Sequence, residues 1–256
     1  MFVAVGQHLH SKSVAMLGSI EGGLPRIMRY WLVAALVASA LRIAISPLQG
    51  VPDFATMLPY LLLVIAPLVS MGLALHWFAD GDRQPQPAMR LARLGRWRTV
   101  PPGEARRDPL YGTTGLMVSL LIGILLNVPV RALEYLAIMP ALAGPVPEWL
   151  SVLHLMTTID VILLTSLYTI AFVAALRKVA LFPRLLAAIW VIDLAMQMAI
   201  AETVAATPGL PPAVATSLHQ LLDGNVHKVL ISIAIWLPYL LMSRRVNITY
   251  RSRVPA

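Results

Sequence analysis

Six separate stretches of mainly apolar residues, each close to the roughly 20 residues a helix needs to cross hydrocarbon, constrain this chain more than anything else in it. The first runs from about Arg26 to Ser46 and the second from Ala55 to Phe78, with Pro59 and Pro67 inside it. The third covers Gly112 to Leu133, the fourth Leu150 to Leu176, the fifth Leu181 to Ala206 and the sixth Val226 to Met242. No stretch alternates with the period of two that barrel strands require. The expected fold is all-α, a polytopic membrane helix bundle of about six transmembrane helices.

Orientation follows from where the cations fall. Lys12, Arg26, Arg29, Arg83, Arg90, Arg93, Arg96, Arg98, Arg106, Arg107, Arg177, Lys178, Arg184, Arg244, Arg245, Arg251 and Arg253 all lie on one side of the six-span pattern. The opposite loops, LQGVPDF, AGPVPEW and the stretch from Thr207 to Asn225, contain no Lys or Arg. Short loops rich in Lys and Arg stay in the cytoplasm. Both termini are therefore expected in the cytoplasm of a bacterial inner (cytoplasmic) membrane protein. Residues 1–25 are expected to form a cytoplasmic N-terminal segment, with His8 and His10 on an unstructured end. That segment lacks the basic start of a secretory signal, so the first span serves as an uncleaved anchor. Residues 26–78 form a two-helix hairpin, 79–110 an Arg/Pro-rich cytoplasmic linker, 111–243 a four-helix bundle and 244–256 a basic tail. Within the linker, AMRLARLGRWR is either a short surface helix or a solvated loop held by anionic lipid.

Composition removes several function classes. Apolar residues make up 58% and charged residues 12%, about half the usual charged share of a soluble domain. The net charge of +8 sits at span edges, where lipid headgroups account for it and nucleic-acid binding does not. The absence of cysteine excludes disulfides, thiolate chemistry and iron–sulfur clusters. The lipid bilayer is the expected partner, with other membrane subunits after it.

From Pro109 onward three local patterns stand out: PLYG at Pro109–Gly112, LFPRLL at Leu181–Leu186 and AIWLPYLLMSRRVNITY at Ala234–Tyr250. Together they resemble the bacterial membrane family catalogued as domain of unknown function 2569, over about residues 109–253. The resemblance implies a four-helix membrane unit; it brings no catalytic or ligand residues. The closing segment is also readable by itself. Pro238 removes a backbone hydrogen bond near the end of the last span. Trp236 and Tyr239 are amphipathic rings suited to the interface, and Arg244 and Arg245 are expected to reach lipid phosphates as headgroup anchors.

Polar residues inside the spans need a reason, because a central charge costs at least about 2.5–3.5 kcal/mol on insertion scales. Asp160 and Asp193 fall near mid-span on neighbouring helices, with Thr157 and Gln197 one turn from each. No Lys or Arg is expected at their depth. They form either a proton or cation relay or a polar contact between helices. A second set, Arg42, Arg131, Glu134, His154, Glu202, His227 and Lys228, is expected near the outer interface. Arg131 and Glu134, spaced i, i+3, are expected to pair, with Asn127 and Pro129 marking a local kink. The set reads as a pocket for an anionic or zwitterionic ligand, or as interfacial ion pairs. His154 and His227 match no haem or metal spacing, no Gly-x-Ser-x-Gly elbow is present, and neither a cofactor nor a metal is expected.

Three functions fit these features. The first is a non-catalytic accessory or structural subunit of a membrane complex. The second is a proton- or cation-coupled small-solute transporter using Asp160 and Asp193. The third is a membrane enzyme acting on lipid.

Overall fold

The computed structural model describes residues 2–48, 50–87 and 94–256, with side chains described from Ser11 onward. Among the described residues, six helices are long and apolar enough to cross a membrane. They are α1 (Phe2–Ile45), α2 (Phe54–Trp77), α4 (Leu116–Ile138), α5 (Glu148–Leu176), α6 (Phe182–Ala205) and α7 (Pro212–Met242). The protein is an all-α polytopic bundle, as its hydropathy dictates. The remaining elements are short: α3 (Pro102–Ala105), α8 (Arg244–Arg251), and the strands β1 (Trp97–Thr99) and β2 (Arg253–Pro255).

α5 is the axis of the bundle. It packs against α2, α4 and α6, while α7 leans on α6 and α1 bridges α2 and α4. Its last turns, Ala171 to Ala175, are fully enclosed on every face. Three of those five residues are alanine, and small side chains let neighbouring helix backbones come close. α1 is stitched to α2 by the Trp31 indole N–H, which donates to the Val64 carbonyl at 3.0 Å.

Two helices are longer than hydropathy suggests. α1 already begins at Phe2, so the stretch expected to be an unstructured end, His8 and His10 included, is helical. At 44 residues α1 is about 66 Å long, twice the hydrocarbon thickness. α7 starts at Pro212, so most of the stretch from Thr207 to Asn225 expected as an outer loop is helix instead. The reason is local: Pro212 sits at a helix start, where its missing N–H costs nothing.

The arginine-rich end is folded. β1 in the linker pairs antiparallel with β2 in the tail, Trp97 opposite Pro255 and Thr99 opposite Arg253. Val100, Ala105 and Ile248 form a small separate core beneath this ribbon. α8 buries Val246, Ile248 and Tyr250 against the bundle. Linker and tail, expected as separate cytoplasmic segments, thus form one cap. A single 3₁₀ turn, Gly81–Arg83, presses on the α5–α6 connection so closely that a Cβ on Gly81 would lie 2.6 Å from the Arg177 carbonyl oxygen. Most of the AMRLARLGRWR segment lies outside the described residues; its end, Trp97–Arg98, is strand rather than surface helix.

Candidate functional site: an ionic fork inside the bundle

α4, α5 and α6 each bring one charged residue to a common point within the bundle. The Arg131 guanidinium donates through Nη1 to Asp160 Oδ2 at 3.0 Å and through Nη2 to Asp193 Oδ2 at 2.6 Å. Tyr168, two turns further along α5, donates its hydroxyl to the same Asp193 oxygen at 3.1 Å. Asp193 is completely buried, and Asp160 nearly so. Two carboxylates on one guanidinium leave one negative charge uncompensated, in surroundings where charge is expensive.

This overturns the expectation that no cation reaches the depth of the two aspartates. The error came from the end of α4. Hydropathy placed it near Leu133, but the helix continues to Ile138, which leaves Arg131 seven residues, about 10 Å, inside that end. A long, planar side chain then bridges two helices at once.

Polar contacts continue outward from the fork. Gln197 Nε2 donates to Asp160 Oδ1 at 3.3 Å, and Asn225 Nδ2 donates to Gln197 Oε1 at 3.2 Å. Lys228 Nζ donates to Asn225 Oδ1 at 3.4 Å and to Glu134 Oε1 at 2.5 Å. Lys228 is exposed and Glu134 half-buried. A ladder of hydrogen bonds therefore runs from a buried aspartate to the surface near the arginine-poor end. Glu134 pairs with Lys228 rather than with Arg131, because Arg131 turns inward while Glu134, three residues on, remains on the exposed side.

The ladder lines a cleft between α4 and α7. One cavity of about 130 Å³ is walled by Asp160, Thr157, Arg131, Glu134, Asn225 and Lys228. An adjoining cavity of about 110 Å³ shares the last four and reaches Asp193, Tyr168, Asn127 and Ser232. Two residues lining this second cavity each carry a buried acceptor with no hydrogen-bond partner among the described residues, Asp193 Oδ1 and Asn127 Oδ1.

The other expected residues are distributed differently. Thr157 bonds its own helix, donating to the Leu153 and His154 carbonyls, not to Asp160. Arg42 donates to the Met139 and Ile138 carbonyls at 2.9 and 3.4 Å. It caps the C-terminus of α4, where a cation meets the negative end of the helix dipole. His154 faces away from the fork. Its Nε2 lies 3.4 Å from the Tyr135 hydroxyl, and it lines a larger, mostly apolar cavity of about 540 Å³ between α2 and α5. Arg131 and His154 therefore line different cavities. Glu202 is exposed on α6, and His227 is exposed on α7, donating to the Asp223 carbonyl of its own helix at 2.7 Å.

The expected headgroup anchors have protein partners. Arg244 pairs with Asp108 at 3.1 Å, and Arg245 donates to the Leu110 carbonyl and the Thr114 hydroxyl. Trp236 and Tyr239 stack edge to face, 5.9 Å between centroids.

Tyr168 and Asn225 were not singled out by sequence. The signal available was their company: a tyrosine and an asparagine in spans already carrying an aspartate or a lysine. The chain matches no family model, no curated protein and no solved structure.

Proposed function

We propose that this integral membrane protein is a proton- or cation-coupled transporter of a small solute, working through the cleft between α4 and α7. One observation carries the reading: two carboxylates, Asp160 and Asp193, share the single guanidinium of Arg131 and connect by polar side chains to an exposed ion pair. A matched pair of one acid and one base would tie two helices together with no charge left over. A surplus acid inside a bundle gains by taking up a positive charge and loses that gain when the charge departs. The five charged groups of the cleft sum to −1, which favours a cationic or zwitterionic solute over an anionic one. The arginine-rich end, with both termini, lies in the cytoplasm of a bacterial inner membrane on this reading, so the ladder opens outward. A reporter fused after Ala256 and active only in the periplasm would reverse that direction.

The test is solute-evoked current in proteoliposomes on a solid-supported membrane, using a panel of small amines and amino acids. Wild-type protein gives a current that depends on the pH or cation gradient, and Asp160→Asn and Asp193→Asn abolish it while eluting as folded protein. Absence of current with every solute sinks the reading.

One observation favours the accessory-subunit reading instead. α1 extends far beyond the bilayer thickness, with Val14 and Met16 exposed on that extension. A stoichiometric partner co-purifying in mild detergent, and lost on deletion of residues 2–20, would support it.

A further inference from the structure

Resting on that reading, we propose that Asp193 and Asn127 hold the coupling ion, and that this ion is a hard monovalent metal cation. Asp193 Oδ2 is saturated by Arg131 and Tyr168, but Oδ1 accepts nothing although the residue is fully buried. Asn127 Oδ1, one helical turn before Arg131 on α4, is likewise a buried acceptor with no donor. Both residues line the same cavity. Orphaned acceptors of this kind cost about 1–3 kcal/mol each, and more when charged. Two in one small space ask for a shared donor or cation, and the surplus negative charge favours the cation.

Charge fixes the valence. Asp160, Asp193 and Glu134 against Arg131 and Lys228 leave −1, so one monovalent ion makes the cleft neutral and a divalent ion would leave a buried surplus of the opposite sign. Oxygen-only ligands suit a hard cation. The cavity of about 110 Å³ far exceeds the roughly 10–15 Å³ that a single water requires, so an ion fits together with waters that complete its shell. Ser232, whose hydroxyl donates to the Lys228 carbonyl, also lines this space.

The experiment is thermal unfolding of the full-length protein in mild detergent at pH 7, titrating NaCl while choline chloride holds ionic strength constant. Ligand binding to the folded state raises the midpoint saturably. The expected result is a rise with sodium and none with choline. Asn127→Ala leaves the Arg131 fork intact and moves the half-saturating sodium concentration up about tenfold. Asp193→Asn removes the response. Identical curves in sodium and choline overturn the proposal. A sodium-independent rise on acidification that Asp193→Asn removes assigns the site to a proton; it overturns sodium but leaves the transporter standing. Sodium stabilisation in a protein that carries no current for any solute does the reverse, keeping the ion site and removing the transport.

Discussion

The Tyr250 hydroxyl donates to the Ala175 carbonyl at 2.8 Å, joining the C-terminal tail to the last turn of the central helix. Tyr250 is fully buried, and its ring lies 5.1 Å from that of Phe182 at the start of α6. Burial pushes the phenol well above its ordinary pKa, so it remains a donor at any pH the protein meets. Tyr250→Phe keeps the packing and removes one hydrogen bond. Ala175 still accepts from Lys178 N, so the loss is about 1 kcal/mol, not that of an orphaned carbonyl. Tyr250→Ala removes the ring as well and costs about 3–5 kcal/mol. Limited proteolysis of the tail, read beside thermal unfolding, checks the order of the two variants.

Arg131 is the residue whose removal the bundle tolerates least. Arg131→Met leaves two carboxylates facing each other without a cation, a loss of about 3–5 kcal/mol. Asp193→Asn follows, since Asp193 is sealed from solvent, and Asp160→Asn is mildest because Gln197 still donates to it. Unfolding midpoints in one detergent give the ranking. If Asp160→Asn proves worse than Arg131→Met, the fork is not the unit that matters.

Gly81→Ala tests the contact between the linker and the α5–α6 connection. The added methyl would meet the Arg177 carbonyl oxygen at 2.6 Å and Val179 Cγ2 at 2.7 Å, neither of which is the free end of a flexible chain. The expected loss is about 1–3 kcal/mol, the usual range for overpacking. Protease sensitivity of the loop should rise with it, while Gly103→Ala, which meets nothing, serves as the unaffected control.

Arg251 predicts a pH dependence. Burial, then the neighbouring Arg253 and Arg184, bring it down from 12.5 to about 10. A base whose folded value is depressed weakens the folded state while charged, and that penalty lifts as pH rises through about 10 toward its unfolded value. Arg251→Met should therefore raise stability at pH 7, by about 1–4 kcal/mol if it behaves as other buried charges replaced by apolar residues do. The advantage should shrink above pH 10. A variant that stays ahead by the same margin at pH 11 would show either that the guanidinium keeps its proton there or that packing is responsible.

Hydropathy and length made the six spans legible because lipid imposes one rule on every turn of a crossing helix. The same rule flagged Asp160 and Asp193. It failed with Arg131 because depth was counted from a helix end set too early, and one turn of helix moves a side chain about 5 Å. It failed for the start of α7 because His219, Gln220 and Asp223 look like loop residues, although helices continue past the hydrocarbon without needing apolar side chains. The cap was beyond reach by local reading. Its ribbon joins Thr99 to Arg253, and no period or cap within either segment announces a partner so distant in sequence.

A guanidinium held by two oxygens on different helices acts as an index pin. Turning α4 by a single residue position, about 100°, would swing Arg131 off both carboxylates together. The two bonds therefore resist rotation of α4, and whatever weakens them, whether an incoming ion or an arriving proton, lowers that resistance.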